Sequence, residues 1–158
     1  MVGPELPLTL GIVDEFEKRS LKILGPTKLA AEIEGSKVFA KEFMQKYHIP
    51  TASFKIFDNP NEASDFVKSS ELPLVIKADG LAAGKGVVVV EDEASAISAL
   101  QKIMVDKVFG DAGRRVVVED FLEGEEITIL AFTDGESILP MLSSQDHKRI
   151  FDGDRGPN

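Results

Sequence analysis

Between Leu74 and Glu91 the chain reads LVIKADGLAAGKGVVVVE, and this stretch restricts the possible folds more than any other. An apolar run ends in Lys77, a turn with Gly80, Gly84 and Gly86 carries a second lysine, Lys85, and Val87 to Val90 follow. Two β-rich runs joined by a glycine-containing loop predict a hairpin, here with a loop longer than a minimal turn. Glycines let a backbone take unusual angles and approach a ligand closely. Successive N–H groups in such a turn form a concave anion site, and flanking lysines add positive charge. The expected guest is a phosphate. A hairpin loop with solvated lysines is the plainer alternative.

Two common phosphate motifs are excluded. A P-loop has four residues between its glycines and Ser or Thr after its lysine. Here Leu81, Ala82 and Ala83 alone separate Gly80 from Gly84, and Gly86 follows Lys85. The dinucleotide pattern G-x-G-x-x-G would need glycine where Val89 stands, and a helix where a strand is expected.

The other segments predict a mixed α/β protein. Helices are expected over residues 5–20, from Thr27 to Ile33, from Ser36 to Pro50 with Phe39, Phe43 and Tyr47 on one face, from Pro60 to Ser69, and from Glu93 to Val108. Strands are expected at 22–24, 54–57, 115–120, 126–133 and 137–141, the last two joined by Asp134-Gly135. A net charge of −9 over 158 residues argues against nucleic acid and anionic membrane as partners. An acidic chain that holds a polyanion must gather its cations locally, and Lys37, Lys77, Lys85, Lys148, Arg149 and Arg155 are the candidates. With no cysteine, disulfide and thiol chemistry are excluded, which suits a cytoplasmic location. Apolar runs fall short of the ~20 residues of a membrane span, and no secretory-signal pattern opens the sequence.

The blocks VGPE at 2–5, GPT at 25–27, Ser36-Lys37, Lys77 to Gly86, VEDFLEGEE at 118–126, and SQDHKR at 144–149 running to Gly156-Pro157-Asn158 resemble, in order, the phosphoribosylamine–glycine ligase family of ATP-grasp enzymes. That resemblance implies an ATP-grasp fragment: residues 1–50 as the end of an N-terminal domain with linker helices, 51–120 as the B lobe that forms a nucleotide lid, and 121–158 as the hinge and start of a C-terminal grasp lobe. It implies ATP phosphates on Lys37, Lys77 and the loop of Gly80, Gly84, Lys85 and Gly86. Adenine would lie on the backbone at Phe121 and Leu122 with Glu119 at its amino group, and the ribose on Glu126. It places Asp146, His147, Lys148, Asp154, Gly156, Pro157 and Asn158 on the side of glycine and 5-phosphoribosylamine, and assigns nothing to Arg155. The implied reaction is ATP-dependent ligation through a glycyl phosphate in purine synthesis, with no residue here assigned as catalytic. Mg²⁺ is implied as well, with ligands beyond residue 158, so the chain alone is expected to be inactive. The rival expectations are a non-catalytic nucleotide-binding module and an ATP-grasp ligase with another acceptor.

Overall fold

The structure is a computed structural model that describes residues 1–82, 84–145 and 150–152. It divides into two compact units, Met1–Phe121 and Leu122–Asn158.

In the first unit four short helices precede a sheet. They are α1 (Glu5–Thr9), α2 (Ile12–Lys18), α3 (Lys28–Gly35) and α4 (Lys37–Lys46). The single helix expected over 5–20 is two, because Gly11 adopts φ +90° between them, a left-handed conformation that ends one helix and starts another. No strand forms at 22–24, where Leu24 accepts one backbone bond from Val2. The expected caps are present: Ala30 N–H donates to the Thr27 hydroxyl, and Phe39 N–H to Ser36 Oγ at 3.0 Å. Phe39, Phe43 and Tyr47 do pack ring to ring along α4, but the buried residues of that helix are Val38 and Lys41.

The sheet follows: β1 (Phe54–Phe57), α5 (Pro60–Lys68), β2 (Leu74–Ala78), β3 (Val87–Val90), α6 (Glu93–Leu100) and β4 (Val116–Asp120). Its order is β1-β4-β2-β3, antiparallel throughout. Alternation splits each strand between two faces. Leu74, Ile76, Ala78, Val90, Val116 and Val118 point to one, where they form a core with Ala63 and Val67 of α5 and Ala96, Ala99 and Leu100 of α6. The register sets Val75, Lys77, Val117, Glu119, Phe54 and Ile56 on the other, and there α4 packs against β4.

The helix expected to reach Val108 widens instead into a π-turn over Gln101–Val105, in which Asp106 N–H donates to the Gln101 carbonyl. A 3₁₀ turn, Gly110–Arg114, then leads into β4. Gly113 in that turn meets the Ile103 carbonyl so closely that an added Cβ would lie 2.1 Å from the oxygen.

The second unit contains a short hairpin, β5 (Ala131–Thr133) and β6 (Ile138–Pro140), and a bridge between Thr128 and Ser144. Its strands are shorter than expected. All six of their residues are exposed, so among the described residues no core supports longer pairing there.

Candidate functional site

The glycine loop is the turn of the β2–β3 hairpin, with Lys77 opposite Val87 in the last ladder pair. Ala78 N–H still bonds the Gly86 carbonyl at 2.8 Å, so the free turn is narrower than the glycine-rich segment. The three glycines serve different ends. Gly84 takes φ +76° with open space around it. Gly80 and Gly86 instead allow close packing, since added Cβ atoms would stand 2.8 Å from Ala112 Cβ and 2.6 Å from Ala82 Cβ. Conformational freedom therefore accounts for one glycine, and crowding for two.

Asp79, to which the sequence reading gave no role, holds the base of the loop. Its main-chain N–H donates to the Ala112 carbonyl at 3.0 Å, and its carbonyl accepts from Lys37 N–H at 2.8 Å. Its carboxylate accepts from Ser36 Oγ (2.7 Å), Val38 N–H (3.0 Å) and the Arg115 guanidinium (2.7 and 3.0 Å). The anion at the positive end of the α4 dipole is thus Asp79 itself. A carboxylate between a loop and a helix start gives no periodic signal, which is why sequence reasoning passed over it.

Burial alone would raise the Asp79 pKa, but the bonds from Ser36, Val38 and Arg115 outweigh it and hold the carboxyl below its ordinary range. A depressed carboxyl stabilises the fold above its unfolded pKa of roughly 3.9, and that contribution disappears as pH falls through the lower folded value. Wild type is therefore expected to melt above Asp79→Asn at pH 7, with the gap closing in the acid range below about 4. Thermal melts of both proteins from pH 7 to 2 check this, and a gap independent of pH would contradict it.

Lys37 begins α4 and its Nζ donates to the Gly80 carbonyl at 3.1 Å. Burial lowers its pKa and nearby Lys77 acts in the same direction, against Glu34 and Asp79. Lys77 thus adds positive charge near Lys37. Lys85 is exposed on the loop. A cleft of about 600 Å³ lies beside them, lined by Glu5, Leu6, Glu34, Lys37, Leu81, Ala82, Gly84, Gly86 and Val87. A larger one of about 810 Å³ at Asp58, Asp79, Asp111, Lys107, Arg114 and Arg115 mixes both charges, and its Arg115 is already engaged by Asp79. The smaller cleft is the one that the glycine loop and Lys37 line, and Glu5 and Glu34 share it.

On the same sheet face Lys77 Nζ pairs with Glu119 Oε1, while Lys41 Nζ pairs with Oε2 and donates to Thr51. Glu119 is thus the negative partner of the strand-end Lys77. Lys41 was missed because nothing in the pattern of α4 separates it from a solvated lysine. Phe121 ends the first unit, 39% exposed, whereas Leu122 and Glu126, both exposed, belong to the second. Asp146, His147, Lys148, Asp154, Gly156, Pro157 and Asn158 lie outside the described residues. Among the described residues no three His, Asp or Glu side chains gather to hold a metal ion, so no Mg²⁺ site is assigned here.

The architecture recurs in solved structures. The D-alanine–D-alanine ligase of Helicobacter pylori superposes with a TM-score of 0.69 at 20% identity, over 88% of this chain and 41% of that one. The phosphoribosylamine–glycine ligase of Thermotoga maritima reaches 0.78 at 41% identity, over 85% of this chain and 34% of that one. The fold is that of an ATP-grasp protein. Curated phosphoribosylamine–glycine ligases are similar along the whole chain: that of Halalkalibacterium halodurans is 55% identical over 99% of it, and that of Neisseria meningitidis serogroup B 54% over 100%. The chain belongs to the phosphoribosylglycinamide synthetase family, with residues 1–34 matching its N domain and 35–158 its ATP-grasp (A) domain. It spans 37% of the length of either relative.

Proposed function

We propose that this chain supplies nucleotide-binding parts of an enzyme that joins glycine to 5-phosphoribosylamine at the expense of ATP. The observation that carries the reading is Lys37 beside the glycine loop, its Nζ on the Gly80 carbonyl and both at one cleft, in a chain similar from end to end to ligases of that name. In this reading the glycine carboxylate attacks the γ-phosphorus and ADP leaves. The amine of phosphoribosylamine then attacks the resulting acyl phosphate, forming the C–N bond and releasing phosphate.

The chain's own work is charge neutralisation and positioning rather than covalent catalysis. Lys37 and Lys77 face the phosphates, and Lys85 adds its charge when the loop closes over them. Phe121, Leu122 and Glu126 keep the nucleoside roles, Glu119 stands beside the base, and Asp146, His147, Lys148, Asp154, Gly156, Pro157 and Asn158 take the acceptor side. Mg²⁺ would accompany the nucleotide. The location that fits is the cytoplasm; among the described residues no helix is long and apolar enough to cross a membrane.

Phosphate release tests the activity in a polypeptide that carries these residues at the length of the relatives. Release that needs ATP, glycine and phosphoribosylamine together is expected. Release that needs a different acid or amine would overturn the substrate assignment.

A further inference from the structure

Lys41 has no place in the site as proposed, and it is among the most buried charges of the chain. Its side chain is 8% exposed and that of its partner Glu119 is 7%, against 26% for Lys77. Lys41 reaches the carboxylate from α4, 5.4 Å from the Phe54 ring, while Lys77 reaches it from β2. One carboxylate therefore serves two ammonium groups, and the cluster carries one net positive charge. The enclosed pair, Lys41 with Glu119, cancels internally. The surplus charge resides on Lys77, which is the member open to solvent.

We propose that Lys41 is a positioning residue for anion binding: by balancing Glu119 it keeps Lys77 from being neutralised, so that Lys77 can attract the phosphates of a nucleotide that Lys41 never touches. Without Lys41, Glu119 would have Lys77 as its one lysine partner, and the pair would offer a phosphate no net charge. In surroundings poor in water, such a change is felt more strongly than at a surface. The inference rests on the assignment of Lys77 to phosphate made above.

The test is titration of the 158-residue chain with ATP, inorganic triphosphate and adenosine, followed by amide chemical shifts, which resolve millimolar binding. Lys41→Met is expected to weaken ATP and triphosphate on the order of tenfold, the scale of one charge-assisted contact, and to leave adenosine unchanged. Lys41→Arg keeps the charge and should bind as wild type does. The double variant Lys41→Met/Glu119→Gln removes both buried charges, a change that proteins often tolerate. It frees Lys77 and should restore affinity for inorganic triphosphate, which has no base for Glu119 to stand beside. If Lys41→Met binds ATP like wild type while Lys77→Ala does not, the role of Lys41 is overturned and the site stands. A loss of triphosphate affinity that persists in the double variant overturns it too, because removing Glu119 would then not have freed Lys77. Should Lys41→Met fail to fold, the double variant decides alone by the same comparison. A wild-type chain that shows no ATP-dependent shifts, or a Lys77→Ala chain that binds as wild type does, overturns the phosphate assignment itself.

Discussion

Lys77→Ala is expected to weaken ATP binding by roughly tenfold to a hundredfold, the loss of one charge-assisted hydrogen bond worth about 1.5–3 kcal/mol. Lys85→Ala should cost less. The difference lies in preorganisation. Lys77 is fixed at the end of a central strand, with its ammonium group already on Glu119, so little side-chain freedom remains to be lost when a phosphate arrives. Lys85 is exposed on the turn and must be ordered by the ligand. The fold should survive the Lys77 change, because Glu119 keeps Lys41 as a partner. Calorimetric titration of both variants checks the order, and equal affinity for wild type and Lys77→Ala would refute the site.

Gly113→Ala should be among the most damaging single-methyl additions to the chain. The new Cβ would sit 2.1 Å from the Ile103 oxygen and 3.1 Å from the carbonyl carbon, both backbone atoms that no rotamer change can move aside. Overpacking of this kind costs typically 1–3 kcal/mol and occasionally more. A midpoint lowered by on the order of 10 °C follows for a domain of this size. The consequence reaches the site, because the 3₁₀ turn that holds Gly113 also holds Ala112, whose carbonyl binds Asp79 N–H beneath the glycine loop. Reduced ATP affinity is therefore expected alongside reduced stability. Gly3→Ala is the control, with open space around it and no unusual φ. Gly113→Ala melting within a degree of that control would show that the contact relaxes cheaply.

Legibility in the sequence followed the range of the interaction. The hairpin announced itself because valines and glycines speak locally, and so did the Thr27 and Ser36 caps. Gly11 gave a local signal that the apolar spacing of Leu8, Ile12, Val13 and Phe16 concealed, and one helix was expected where two formed. After Leu100 the helix widens into a π-turn, and Gly113 meets Ile103 ten residues away, a contact that periodicity cannot express. The site divides the same way. Lys77 and Lys37 were visible beside a strand end and a helix start, but the contacts that orient them are not local. Asp79 joins α4 to β4 through Ser36, Val38 and Arg115, and Glu119 joins β4 to Lys41 on α4 and Lys77 on β2. Each is a meeting of segments more than thirty residues apart in at least one of its bonds. The exposed apolar residues of β5 and β6 read as ordinary strand residues in sequence, and only the fold shows that nothing among the described residues buries them.

The central claim is that a phosphate-bearing nucleotide binds where the glycine loop, Lys37 and Lys77 meet. Amide NMR of the wild-type chain during an ATP titration tests it most directly. The account predicts the largest shifts at Lys37, Lys77, Gly80, Gly84, Lys85 and Gly86, with α5 on the opposite face of the sheet unmoved. Shifts centred on the larger cleft at Asp58, Lys107 and Arg114, with the glycine loop silent, would contradict it.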